Sequence, residues 1–259
     1  MGGANDLFTR IKIGKVSANI LQKKLKARID KAVWEYKMFA AGDRILLCVS
    51  GGADSMSLLY LFSKRYLIYA GDLQLTVLYV DMGFGHHAEQ RCNIIQQYFD
   101  KLGVKGKIIK SEIGLYAHSE ENRENPCFLC TRIRRKKIFE TAEELTCNKI
   151  VFGHHKNDVV ETLLLNMIFG REISTMTPYL PVHSGKYVIV RPLVFTEEIL
   201  LKQFQQQYDI PVFDQECPTD GNSKRQYVKE LLNKIETDYR GSRENIFNCM
   251  KKVKSDYLL

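Results

Sequence analysis

Residues 50–55, Ser50-Gly51-Gly52-Ala53-Asp54-Ser55, bring two glycines, hydroxyls and a carboxylate directly after the apolar run Ile45-Leu46-Leu47-Cys48-Val49. That order suits the capture of phosphate. Glycine lets the backbone reach positive φ and approach an anion closely. The N–H groups at the start of a following helix, reinforced by its dipole, then face the anion. Asp54 offers a carboxylate to a divalent cation, and Ser55 a hydroxyl to a phosphate oxygen. A plain capped turn could hold the same residues, but the strand–loop–helix context favours a nucleotide. Two further segments place chemical side chains where an apolar run ends: Asp81-Met82-Gly83 and Gly153-His154-His155-Lys156-Asn157-Asp158. Asp81 also suits a turn cap, His154 a satisfied core position, and Asp158 a helix N-cap that can coordinate as well.

Cys127-Phe128-Leu129-Cys130 follows Pro126 where a helix should begin. Thiols so placed have a lowered pKa and suit metal binding or redox exchange. Cys217 lies in a polar loop before Pro218-Thr219-Asp220-Gly221-Asn222. Three thiolates from Cys127, Cys130 and Cys217 would leave one position open on a four-iron cluster or on zinc; the plainer reading of Cys217 is a loop thiol. Cys48 falls in a strand, Cys92 and Cys147 in helical stretches, all three as small buried hydrophobes. Cys249 has no partner signal. Arg132, Arg134, Arg135, Lys136 and Lys137 crowd the helix after the cysteine pair. Arg132, Arg135 and Lys136 share a face at i, i+3, i+4, which fits either a nucleic-acid backbone or a solvated surface.

The elements that must position these groups follow from apolar patterning. Strands are expected at 44–49, 73–80, 105–110, 149–152 and 186–190, and helices at 17–38, after the glycine loop, and at 87–102, 128–145, 159–169, 197–208 and 224–238. Residues 111–126 read as a polar loop. Alternating strands and helices predict an α/β fold, with an open, mostly parallel five-stranded sheet and helices on both faces. Ligands of such sheets bind at the carboxyl ends of the strands, where the three marked segments fall. Three divisions are expected: a basic helical extension over 1–40, the nucleotide-binding domain over 41–215, and a helical segment carrying Cys217 over 216–259.

The chain has 259 residues, 38 basic against 30 acidic, and a net charge of +8. Such a balance suits a polyanionic partner, nucleic acid first, or serves solubility alone. No stretch approaches the ~20 apolar residues of a membrane helix, and the N-terminus shows no secretory signal. A cytoplasmic protein with reduced cysteines is therefore expected.

Taken together, these residues resemble the tRNA 2-thiocytidine synthetases, a family of the PP-loop ATP-pyrophosphatase superfamily. The matching motifs are Ser50-Gly51-Gly52-x-Asp54-Ser55, Cys127-x-x-Cys130 with Arg132-Ile133-Arg134-Arg135, Gly153-His154-His155-x-x-Asp158, Leu164-Leu165-Asn166-Met167, Ile189-Val190-Arg191-Pro192-Leu193, and Cys217 with Asn222-x-x-Arg225-Gln226. The likeness covers about residues 20–235. It implies a Rossmann-like PP-loop fold that grips ATP and Mg2+ through Ser50, Gly51, Gly52, Asp54 and Ser55, with Asp81, Gly153, His154 and Asp158 completing the site. It implies adenylation of the C2 oxygen of a cytidine, position 32 of the tRNA anticodon loop, with pyrophosphate released. It further implies that Cys127, Cys130 and Cys217 hold a [4Fe-4S] cluster that delivers sulfur to C2, with Asp54 and these cysteines as the catalytic set. The logic is that a carbonyl oxygen leaves poorly, adenylation makes it leave well, and a metal carries the soft nucleophile. Arg132, Arg134, Arg135 and Lys136 would meet the RNA. The sulfur donor would be a cysteine desulfurase or inorganic sulfide, and a homodimer is suggested by the resemblance alone. Two positions depart from the family pattern: Ala53 where many members carry Lys, and Asn157 where Asp is usual. Three other readings remain open: thiolation of a different tRNA base, a sulfur transferase or desulfidase for a small molecule, and an RNA-binding module with structural zinc.

Overall fold

The computed structural model describes residues 18–64, 73–213, 216–219, 221 and 223–257. Its centre is a six-stranded sheet: β1 (Arg44–Val49), β2 (Gln74–Val80), β3 (Lys105–Ile109), β4 (Lys149–Phe152), β5 (Tyr179–Val182) and β6 (Tyr187–Val190), in the order β3-β2-β1-β4-β6-β5. Every pair is parallel except β5–β6. The expected α/β architecture is present with one strand more than the five expected. The extra strand, β5, is four residues long, half-exposed, and contains Pro181. A proline and so short a run give little strand signal, and both are tolerated only at a sheet edge. The tight return to β6 puts His183, Ser184 and Gly185 at φ values of 52°, 56° and 85°.

Register brings the strand ends together. Val49 lies beside Tyr79, and Cys48 beside Phe152. Ser50, Asp81 and Gly153 therefore leave the sheet at one edge, the carboxyl edge where such folds bind ligands.

Nine α-helices cover the sheet among the described residues: α1 (Ala18–Glu35), α2 (Ala53–Ser63), α3 (Ala88–Leu102), α4 (Ile113–Ala117), α5 (Pro126–Glu144), α6 (Lys156–Leu165), α7 (Glu198–Gln207), α8 (Lys224–Asp238) and α9 (Ser242–Cys249). A π-helical turn, Asn166–Gly170, follows α6. Alternate residues of β1 feed two cores, as a two-residue repeat requires. Ile45, Leu47 and Val49 join the larger core with Leu25 and Ile29 of α1, Leu59 of α2, Phe204 of α7, Val228 and Leu232 of α8, and Phe247 of α9. Leu46 and Cys48 join a smaller one with Ile113 of α4 and Ile138 and Ala142 of α5. The terminal helices thus share a core with the central sheet, across the three expected divisions. Residues 1–17 lie outside the described part. The segment expected as a loop at 111–126 contains α4, and Cys147 sits just beyond α5 instead of within a helix, its N–H bonded to Ala142 O at 2.8 Å. No described helix is long and apolar enough to cross a membrane.

Candidate active site

The phosphate loop is built by backbone geometry. Gly51 takes φ +85°, and a Cβ there would sit 2.5 Å from the Phe213 ring. Phe213 N also donates to Gly51 O at 3.1 Å, which pins the loop from outside. Ser55 Oγ accepts from Ser50 N at 3.1 Å and donates to Gly52 O at 3.2 Å. The Ser50 hydroxyl lies 3.2 Å from it. These bonds close the loop, while α2 begins at Gly52 with no side chain capping its first turn. Uncapped N–H groups at a helix start form a ready anion site. Gly153 serves close packing: a Cβ there would lie 2.8 Å from Ser55 Cα.

Behind the loop, one imidazole joins two carboxylates. His155 caps α6 in a reciprocal box: its N–H donates to Asp158 Oδ2 at 2.9 Å, and Asp158 N donates to its Nδ1 at 3.3 Å. With Nδ1 accepting, the ring hydrogen belongs on Nε2, which faces Asp54 Oδ2 at 3.5 Å. Burial pushes the Asp54 carboxyl above the usual range, and His155 only partly opposes this. Asp54 Oδ1 is buried without a hydrogen-bond partner. A buried, unpartnered carboxylate oxygen beside an anion cradle fits a ligand to a divalent cation. Asp158 is further held by Arg225 of α8, whose Nε reaches Glu161 Oε2 at 3.3 Å.

A cavity of about 180 Å³ opens between this cluster and α5. Ser50, Asp54, Ser55, His154 and Asp158 line one wall, Arg134 and Ile138 of α5 the other, and Cys48, Leu78 and Val80 contribute apolar surface. His154 accepts from Arg191 Nε at 3.3 Å. Burial, with three nearby arginines, pushes its imidazole down to about 4, so it is neutral near pH 7. The Cys48 thiol is pushed up to about 12 by burial, which makes it inert.

The cysteine pair is placed by a helix start. Asn125 Oδ1 accepts from Phe128 N at 3.2 Å, and Pro126 occupies the first turn, a strong N-terminal signal. Cys127 and Cys130 therefore fall on the first turn of α5. Thr219 Oγ1 lies 3.4 Å from Cys127 Sγ and 3.3 Å from Cys217 Sγ, so one hydroxyl spans two of the three sulfurs. Burial raises the Cys130 thiol; Arg134 opposes this, while Cys217 and Cys127 add to it. The three thiols are thus neighbours. Among the described residues no group of three or more His, Cys, Asp and Glu is drawn in tightly enough for a single ion. Three sulfur donors gathered from α5 and the 216–219 segment match, in chemistry, a thiolate-bound iron–sulfur cluster. Cys130 and Cys217 pack on the apolar cluster that also forms the cavity wall.

Asp81 is not brought to this cavity. It is buried, with Oδ2 accepting from Gly83 N at 3.0 Å and Oδ1 facing Arg91 Nη2 at 3.5 Å. It caps its own turn and lines a separate cavity with Cys92, Lys110 and Ser111. On α5, Arg132, Arg135 and Lys136 face solvent while Arg134 turns inward. Arg132 pairs with Glu124 at 2.8 Å and lies over the Phe128 ring. His155, Arg225 and Phe213 are the site residues that sequence reasoning leaves out as such. The His-x-x-Asp capping spacing could have singled out His155; nothing local marks Phe213. Asn157 Oδ1 accepts from Glu198 N at 3.3 Å, so the amide at this position caps α7 where a carboxylate would face Glu198.

Residues 19–235 match the PP-loop domain family. The chain is 32% identical over 245 residues to the tRNA-cytidine(32) 2-sulfurtransferase of Pectobacterium carotovorum subsp. carotovorum (strain PC1), covering 93% of this chain and 77% of that protein. It is 32% identical over 260 residues to the protein of the same name from Marinomonas sp. (strain MWYL1), covering 98% and 90%. Among solved structures, the U34-tRNA thiolase NcsA from Methanococcus maripaludis with its [4Fe-4S] cluster superposes with a TM-score of 0.76 at 20% identity, covering 93% of this chain and 81% of that one, a likeness of fold. By these matches over most of its length, the chain belongs to the PP-loop family and, within it, to the tRNA-cytidine(32) 2-sulfurtransferases.

Proposed function

We propose that this protein is an ATP-dependent tRNA thiolase that replaces the C2 oxygen of cytidine 32 with sulfur. The observation that carries the reading is one cavity with the phosphate loop on one wall and Arg134 of the cysteine-bearing helix on the other. The first turn of α2 receives the triphosphate. Asp54, through its unpartnered oxygen, would hold Mg2+, with His155 beside its other oxygen. The C2 oxygen of the base attacks the α-phosphorus, forming a C2–O–P bond and expelling pyrophosphate. A sulfide then attacks C2, and AMP departs with the oxygen. Arg134 lines the space where these negative charges accumulate and offers them a cation. Leu78, Val80 and Ile138 give that space an apolar side. Cys127, Cys130 and Cys217 would hold a [4Fe-4S] cluster, and the chemistry it would supply is delivery of sulfur.

Arg132, Arg135 and Lys136 stand exposed on the surface of α5, where RNA phosphates would replace the Glu124 carboxylate beside Arg132 and the Glu140 carboxylate beside Lys136. In this reading a cysteine desulfurase or inorganic sulfide supplies the sulfur, and the tRNA substrate is met in the cytoplasm. The test is mass spectrometry of tRNA nucleosides from cells with and without the gene. Loss of 2-thiocytidine is expected. Unchanged 2-thiocytidine would overturn the substrate, and loss of a different thionucleoside would reassign the base.

A further inference from the structure

Trp34 is the single tryptophan of the chain and stands 70% exposed. It sits at the end of a stripe on the outer face of α1. Lys23, Ala27, Lys31 and Trp34 recur at helical spacing with Lys24 beside them, and all five are exposed. The opposite face, Leu21, Leu25, Ile29 and Val33, is buried. The carboxylates near α1 are engaged elsewhere: Asp30 with Lys26, Glu197 with Arg28, and Glu35 with Lys251. Among the described residues, Lys23, Lys24 and Lys31 meet no carboxylate. Lys31 Nζ lies 5.0 Å from the centroid of the Phe195 ring, and Lys251 Nζ lies 4.8 Å from the same centroid, so two ammonium groups crowd one ring. The helix is tied to the active site by ion pairs. Glu197 meets Arg28 of α1 and also Lys156, the neighbour of His155, at 3.1 Å.

An exposed indole flanked by unpaired cations is the arrangement that binds single-stranded nucleic acid: bases stack on the ring while the cations follow the phosphates. A second copy of the chain fits this face poorly, since a two-fold axis through it would set lysines against lysines. We infer that the outer face of α1 is an RNA-binding surface on which Trp34 stacks an unpaired base and Lys23, Lys24 and Lys31 contact the flanking phosphates. The inference rests on the tRNA reading above and assigns a contact separate from α5.

Because Trp34 is the sole tryptophan, the protein's indole emission reports on this position alone. The full chain is titrated with unmodified tRNA while binding is followed independently by filter retention. Emission is expected to be quenched with the midpoint of binding. Trp34→Ala should weaken binding roughly five- to a hundredfold, and Trp34→Phe should retain most of it. Lys23→Ala and Lys31→Ala should each reduce the slope of log affinity against log salt by about one. If tRNA binds while emission stays constant and Trp34→Ala binds like the native chain, the inference is wrong and the tRNA reading survives. If no tRNA is retained at all, both fall. An emission shift that depends on protein concentration without RNA would assign the face to a second copy and overturn the inference.

Discussion

The phosphate loop lines the cavity, while the thiols stand outside its lining on the first turn of the helix whose Arg134 and Ile138 face it and on the 216–219 segment, and the two regions are held in different ways. The loop is fixed by backbone: a left-handed Gly51, a strand end in register with its neighbours, paired serines and an uncapped helix start. The thiol site draws on two segments about ninety residues apart and is bridged by a single threonine hydroxyl. A site made of consecutive backbone is preorganised before its ligand arrives. A site made of distant side chains gains much of its order from the group it holds.

The largest expected effect separates the two. Cys217→Ala should lose iron and acid-labile sulfide from anaerobically purified protein, together with all thiolation, while ATP binding persists. An unchanged iron content would remove Cys217 from the ligand set, and colourless protein carrying stoichiometric zinc would replace the cluster with a single ion. The converse variant, Asp54→Asn, should lower pyrophosphate release by roughly a hundredfold or more while iron content stays constant; undiminished release would dismiss Asp54 from the nucleotide site.

That second variant also has a pH signature. Burial raises the Asp54 carboxyl, so folding favours its protonated form. Below the ordinary carboxylate range the residue is neutral in both folded and unfolded chains, and native and Asp54→Asn proteins should unfold alike. As pH rises through the raised value, the native protein must keep a charge in a poor environment. The amide variant should then become the more stable, as thermal unfolding at pH 4 and pH 8 would register. Equal midpoints at both pH values would mean that Asp54 is not held in a costly state.

Smaller effects grade the backbone against the side-chain device. Gly51→Ala forces a Cβ into a left-handed position against Phe213 and should cost about 1–3 kcal/mol, with a weaker ATP affinity in calorimetry. Thr219→Val removes only the hydroxyl between two sulfurs and should cost the unloaded chain about 0.5–1.5 kcal/mol in denaturant unfolding. If Thr219→Val proved the more damaging of the two, the thiol site would be the more preorganised region.

Particular residues show what was legible. The strand ending at Val49 and the helix opening at Gly52 are written locally, because apolar runs and glycine pairs act over a few residues. β5 was not, since its pairing to β6 outweighs a sequence that Pro181 makes unlike a strand. The spacing of Arg132, Arg135 and Lys136 put them on one face, and helical geometry then left Arg134 for the interior side. Asp81 resembles Asp54 by its place after a strand; the local Gly83 N–H and Arg91, ten residues on, claim it instead. His154 and His155 are adjacent and chemically identical, yet capping geometry turns one toward Arg191 and the other between two carboxylates.

The sequence by itself determined the alternating elements, the anion-binding turn, the helix start that presents Cys127 and Cys130, and the surplus of positive charge, because each depends on residues a few positions apart. Only the tertiary structure decided that Cys217 joins that pair, that Arg225 secures Asp158, that α1 belongs to the central core, and that an exposed indole stands among lysines that meet no carboxylate among the described residues. Those outcomes depend on which surfaces meet after burial, and burial is a property of the whole chain rather than of any segment.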